Sequence, residues 1–233
     1  MQINYSFNEF LKDFAGEDFK LTISQNELLS FVEDNNFNII YKNRNQGITK
    51  AIDLYIFWKL LSNSGFQIGV LCCGYIEREN FRNLIYDSIE KLPEFFKDKY
   101  GIDNWKLTGS KHTIHNTEFP NGSRIYYWTK TNSAAGRGYN LDFLYVSELN
   151  YYENYPLIVD VLTIGLKKNG KAILTTTDMR NIKEEFRMNG DGISEYWSDA
   201  LFSGKRQILF EKTKKNFLHI YNRAAVSVNL QLL

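Results

Sequence analysis

The feature that most constrains this chain is a repeated switch of hydrophobic period. Short runs that are apolar at nearly every position, "FNIIY" (37–41), "FQIGVLCCGY" (66–75), "LDFLYVSE" (141–148) and "KAILTTT" (171–177), alternate with longer stretches whose apolar residues recur every three or four positions. A strand apolar on both faces is buried on both, which happens in a largely parallel sheet covered by helices. The helical stretches are "NEFLKDF", "SQNELLSFVEDN", "TKAIDLYIFWKLLSN", "ERENFRNLIYDSIEKLPEFF" and "YPLIVDVLTIGL". The second carries Leu28, Leu29, Phe31 and Val32 at helical spacing and a capping box of Ser24 with Glu27. The fourth reads as one amphipathic helix with Phe81, Leu84, Ile85, Ile89 and Leu92 on one face. One segment breaks the pattern. "KHTIHNTEFPNGSRIYYWT" alternates with period two on both sides of Asn121-Gly122, the signature of an antiparallel hairpin. The expected fold class is therefore α/β, three layers, with a mostly parallel sheet and one antiparallel hairpin.

Composition narrows the function classes. The 233 residues are 43% hydrophobic and 15% aromatic, enough for a sizeable core. Lysine and arginine number 28 against 27 acids, so no global field selects nucleic acid or membrane, and polyanion binding needs a local patch. Adjacent Cys72 and Cys73 read as small buried hydrophobes of a reducing compartment. No signal peptide and no membrane-spanning run are present, so a soluble intracellular protein is expected. The last thirty or so residues begin basic, with Lys205, Arg206, Lys212, Lys214 and Lys215, and end apolar. That cluster reads either as a local polyanion-binding patch or as a solvated face.

In such a sheet, ligands sit at the carboxyl ends of the strands, here the turns after "NIIY", "FLYV" and "AILT". The first turn is Lys42, Asn43, Arg44, Asn45, Gln46, Gly47, Ile48, Thr49, Lys50. Its strand–loop–helix outline suits phosphate. Backbone N–H groups at a helix start bind phosphate oxygens, Gly47 allows close approach, and the Thr49 hydroxyl can hold Mg²⁺. The usual phosphate loop has lysine directly after its last glycine, where this chain has Ile48. Lys42 and Lys50 are both candidates for the missing ammonium, and an ordinary strand–loop–helix turn would look similar. The second turn is Ser147-Glu148, where an acid after four apolar residues could polarise water, with Ser147 where aspartate is usual, or could simply be a solvated glutamate following a strand. The third is Thr175, Thr176 and Thr177, followed by Asp178, hydroxyls that could sense a phosphate or simply finish a β-branched strand.

Taken in order over roughly residues 20–200, these motifs resemble the ATPase domain of the large terminase subunit, the DNA-packaging motor of tailed phages. "ISQNELLSFVEDNNFNIIYKNRNQGITK" resembles that family's adenine-contacting glutamine, helix, strand and deviant Walker A loop, in the branch with pattern Lys-x-x-x-x-Gly-x-Ser/Thr. "PNGSRIYYW" resembles the hairpin before the catalytic strand, "AAGRGYNLDFLYVSELNYYE" the Arg-Gly element and Walker B with its Ser-Glu variant, and "ILTTTDMRN" the coupling motif.

The resemblance implies a three-layer P-loop NTPase of the additional-strand type, using ATP and Mg²⁺. By position, Gln25 would face adenine, and Lys42 would be the displaced lysine. The loop from Asn43 to Lys50 would hold the nucleotide, with Thr49 and Ser147 near the metal. Glu148 would be the catalytic carboxylate, Arg137 a glycine-flanked flexible arginine finger, and Thr175 to Thr177 the coupling element. The implied partners are double-stranded DNA, a portal, a small terminase subunit and further copies in a ring, with no membrane, in the host cell cytoplasm. The family's nuclease domain, with its clustered aspartates, is not expected here. The ATPase domain is expected over 1–204, with a basic then apolar segment over 205–233. A degenerate nucleotide-binding or interaction protein and a helicase-like ATPase are the alternatives.

Overall fold

The computed structural model describes residues 6–16, 19–34, 36–42, 47–100, 113–132, 134–152, 161 and 165–177. Helices α1 (Phe7–Ala15) and α2 (Ile23–Asp34) lead into β1 (Phe37–Tyr41), α3 (Ile48–Ser62), β2 (Gln67–Cys72), α4 (Tyr75–Glu90) and α5 (Glu94–Tyr100). The hairpin β3 (Asn116–Glu118) and β4 (Arg124–Thr129) follows, then β5 (Leu141–Val146), a short 3₁₀ turn (Leu149–Tyr151) and β6 (Leu166–Thr176). The sheet has six strands in the order β1-β6-β5-β2-β4-β3, every neighbouring pair parallel except β3 with β4. This is the expected α/β architecture with one antiparallel hairpin. β6 inserts between β1, which runs into Lys42, and β5, which runs into Ser147 and Glu148.

The core explains the order. α3 buries Ile48, Ile52, Leu54, Ile56, Phe57, Leu60 and Leu61 around nearly its whole circumference, the mark of a helix enclosed on all sides. Each such side chain stabilises by roughly 1.5–3 kcal/mol on leaving water. Phe7 of α1 meets Tyr55 edge-on at 5.7 Å, and Tyr55 in turn meets Phe143 of β5 at 6.0 Å, so α3 lies between the N-terminal helices and the sheet. Phe81 of α4 touches Tyr127 and Tyr145, which places α4 on the same face. On β5, Phe143, Leu144, Tyr145 and Val146 are all buried, so both faces of the central strand are covered.

Three expectations change. The reciprocal cap of α2 is Thr22 with Gln25 (N···O 2.9 and 3.3 Å), and Ser24 falls inside the first turn; the side chains of Ser24 and Glu27 lie outside the described ones. The long amphipathic helix is two, because Pro93 has no N–H and its ring would clash with the carbonyl four residues back. Its own carbonyl caps α5, accepting from Phe96 and Lys97 at 2.9 and 3.2 Å. β6 starts at Leu166, five residues before the expected strand "KAILTTT"; of the expected helix "YPLIVDVLTIGL", Val161 and Gly165 are helical, and residues 155–160 and 162–164 lie outside the described residues. So do Asp178, the boundary at 204 and the whole basic segment from 205.

Candidate functional site

Parallel strands point all their carboxyl ends one way, so the turns after β1, β6, β5 and β2 form one edge. Lys42 leaves β1 with its N–H donating to the Thr176 carbonyl of β6 at 2.9 Å. Its side chain is buried, and its ammonium pairs with Glu148 Oε1 beyond β5. The other oxygen of Glu148 accepts from Thr177 Oγ1 at 2.8 Å, and the Glu148 N–H donates to Thr175 Oγ1 at 3.3 Å. Lys42, Glu148, Thr175 and Thr177 therefore form one connected cluster across three strand ends. Glu148 sits at φ 51°, ψ 60°, the left-handed region, and is the one non-glycine residue with positive φ among the described residues. Such a conformation costs on the order of 1–3 kcal/mol and persists where surrounding bonds over-determine it.

Lys50 and Thr49 are exposed in the first turn of α3. Asn43, Arg44, Asn45 and Gln46 lie outside the described residues. Gly47 caps α3 at φ 69°, where glycine alone is unstrained. Its carbonyl accepts from Ala51 N–H (3.0 Å) and from Gln25 Nε2 (3.1 Å), so Gln25 is held against the loop. Ile48 is buried in the core, which explains why an apolar residue stands at the position where lysine is usual.

Arg137 is exposed on the turn 134–138, where its N–H donates to the Ala134 carbonyl at 3.2 Å. That turn is more tightly packed than its glycines suggest. Ala135 is buried, and a Cβ at Gly136 would come within 3.0 Å of the Val161 backbone, so the expectation of a flexible segment is corrected for its base.

Three residues that sequence reading missed complete the edge. Glu77, in the first turn of α4, accepts from Ser147 Oγ through one oxygen and from the Cys73 N–H at 2.8 Å through the other. Asn150 accepts at Oδ1 from Thr176 Oγ1 (3.0 Å) and Thr177 N–H (3.4 Å), clamping the end of β6 to the turn after Glu148. Asp53, one helical turn after Thr49, is 5% exposed, and its Oδ1 has no hydrogen-bond partner among the described residues. Burial, reinforced by the Glu77 charge and opposed by Lys42, pushes the Asp53 carboxyl up from 3.8 to about 8. Its signal was a lone acid in the apolar run "TKAIDLYIFW"; Glu77 and Asn150 had none, because surface helices and loops are rich in such residues. Cys72 is buried as expected, whereas Cys73 is half-buried beside Glu77, and burial with Glu77 pushes its thiol up to about 12.

No protein-family model matches the chain, and no curated protein matches it by sequence. Solved structures do match it in fold. The large terminase ATPase domain of Thermus phage P74-26 superposes with a TM-score of 0.54 at 16% identity, covering 72% of this chain and 68% of that one. An arginine-to-alanine mutant of the same domain gives 0.55 at 13% identity with the same coverage. The large terminase of bacteriophage HK97 gives 0.56 at 15% identity, over 78% of this chain and 37% of that chain. At these identities the likeness is one of architecture: the chain has the α/β fold of the phage large terminase ATPase domain.

Proposed function

We propose that the chain is an ATP-hydrolysing motor domain of the DNA-packaging type, coupling hydrolysis to translocation of double-stranded DNA. The observation that carries this reading is the ion pair of Lys42 with Glu148. It joins, across 106 residues of sequence, the two residues assigned as phosphate lysine and catalytic carboxylate.

The residues present fit a nucleotide with a divalent cation. The first turn of α3, opened by left-handed Gly47, presents N–H groups suited to phosphate. No group of three His, Cys, Asp or Glu side chains able to hold a metal occurs among the described residues, so a cation here would depend on the nucleotide's own phosphate oxygens. Thr49 and Ser147 would hold it, Lys42 and the loop through Lys50 would hold the phosphates, and Gln25 the adenine. Bound Mg²⁺ supplies charge neutralisation across the β- and γ-phosphate oxygens. Phosphate oxygens competing for Lys42 would release Oε1 of Glu148 to orient the attacking water, while Thr177 keeps the other oxygen in place. Thr177 on the carboxylate, Thr175 on the Glu148 N–H and Thr176 on Asn150 then tie the Glu148 turn to the end of β6, which suits a coupling element. Arg137 is the proposed finger, supplied to a neighbouring copy in a ring. Double-stranded DNA, the portal and the small subunit are the proposed partners, with Lys205, Arg206, Lys212, Lys214 and Lys215 gripping DNA through phosphates in a salt-dependent way.

Glu148→Gln keeps size and hydrogen bonding but removes the carboxylate that aligns water. ATP binding should persist while turnover falls by ~10²-fold or more. Lys42→Ala should abolish nucleotide binding or turnover, and Lys50→Ala should be milder. Calorimetric binding with steady-state phosphate release, measured with and without DNA, reads all three variants. Equal turnover in wild type and Glu148→Gln would move the catalytic role elsewhere, and binding without turnover would favour a nucleotide-binding interaction protein.

A further inference from the structure

Ser147 stands at a strand end where an acid would bring a full negative charge towards a metal. The hydroxyl by itself brings none, yet its surroundings are not neutral. Ser147 is buried, and its backbone is pinned by its N–H to the Leu71 carbonyl at 3.0 Å. Its side-chain proton is donated to Glu77 Oε1, which leaves the oxygen lone pairs as the only capacity Ser147 still offers. Glu77 cannot easily turn away, because its second oxygen is held by the Cys73 N–H at 2.8 Å, and the first turn of α4 favours a negative charge. A second buried acid lies close enough to Glu77 and Lys42 to feel both charges. Asp53 Oδ1 is buried and without a hydrogen-bond partner among the described residues. A polar atom in that condition is costly unless something polar or cationic meets it.

Resting on the nucleotide-site reading above, we propose that Glu77 restores through Ser147 the negative charge that the strand end lacks. It acts as a positioning residue that holds Ser147 Oγ as an acceptor for the cation accompanying the nucleotide phosphates. The carboxylate thus comes from a different element, the helix after β2, and reaches the cation through one intervening hydroxyl. Outer partners of this kind orient the inner group and raise its basicity, and their loss typically weakens metal affinity about 10–100-fold.

The test uses Mn²⁺ as a paramagnetic probe with the full chain and a non-hydrolysable ATP analogue. Free Mn²⁺ is followed by electron paramagnetic resonance, and analogue binding without metal is measured separately by calorimetry. Glu77→Gln should weaken Mn²⁺ binding in the presence of the analogue by about 10-fold or more, with metal-free analogue affinity held within about three-fold. Ser147→Ala, which does not touch the helix, should weaken Mn²⁺ in the same direction. Adding Ser147→Asp to Glu77→Gln should recover most of the loss, because it puts the charge back at the strand end. A folded Glu77→Gln protein and a folded Ser147→Ala protein that both bind Mn²⁺ as the wild type does would overturn the proposal while leaving the nucleotide site standing. Wild type that binds neither analogue nor Mn²⁺ with it would remove the nucleotide-site reading and this proposal together.

Discussion

At the scale of single residues, the site is a set of charges whose neighbours decide what they do. Lys42 and Lys50 have the same chemistry and lie eight positions apart, yet one is buried against a carboxylate and the other faces water. Nothing in the local sequence separates them, because the difference lies in where β5 and β6 deliver Glu148 and Thr177. Asp53 gives a prediction independent of nucleotide. Its carboxyl, raised to about 8 by burial, holds a proton at neutral pH in the folded chain, whereas in the unfolded chain it releases one above about 4. Between those values the folded state binds more protons, so this residue's contribution to stability is fully present below about pH 4 and is lost as pH rises through about 8. The gap corresponds to on the order of 6 kcal/mol as an upper bound. Asp53→Asn should therefore flatten the fall in melting temperature between pH 5 and pH 8. The readout is the difference between the two pH values, which cancels any fixed cost of the new amide. An unchanged slope would mean that Asp53 is ionised in the folded protein.

Elements were more legible than sites, for a physical reason. The periods of α1 to α4 and the apolar runs of β1, β2 and β5 are local, and each can be read without knowing what it packs against. What could not be read is set by contacts distant in sequence. Asn121 is an example: it marked the hairpin turn correctly, and Gly122 takes the left-handed φ of 78° that such a turn needs. Its side chain also reaches back sixty residues, donating to the carbonyls of Leu60, Leu61 and Asn63 at 2.8, 3.1 and 3.1 Å. The hairpin turn thus caps the C-terminus of the helix that carries the proposed phosphate loop at its other end. Asn121→Ala leaves those carbonyls short of a donor and should cost about 1–3 kcal/mol, measured as a shift in the denaturation midpoint with unchanged slope. A loss below about 0.5 kcal/mol would mean that water replaces the amide. Tyr152 shows the same division. It lies in "NYYENYP", which reads equally as a partner surface or as core; its hydroxyl donates to the Leu71 carbonyl at 2.8 Å, so it is core, while Tyr151 is exposed.

At the scale of the whole molecule, the question is whether one copy of the chain is a complete machine. Lys42, Glu148, Thr175 and Thr177 are assembled within one copy, whereas Arg137 is carried on the exposed turn before β5. The base of that turn is fixed, since Gly136 has no room for a Cβ against Val161, and Gly165 would likewise clash with the Gly136 carbonyl. A guanidinium on a rigid base at the surface is suited to docking on a neighbour, because the backbone is already ordered and only side-chain freedom remains to be lost. A finger that completes a phosphoryl-transfer site is worth ~10³–10⁵ in rate, so isolated copies should turn over slowly. ATPase rate per copy should then rise with protein concentration, and Arg137→Ala should lose that rise while nucleotide affinity stays within a few-fold. Mixing Arg137→Ala with Glu148→Gln should recover activity that neither has alone, since an intact Glu148 site in one copy can receive the intact Arg137 of the other. A rate per copy independent of concentration, together with an inactive mixture, would leave Arg137 acting within its own copy or simply holding the turn. The tight packing of Gly136 would then be the reason the arginine sits where it does.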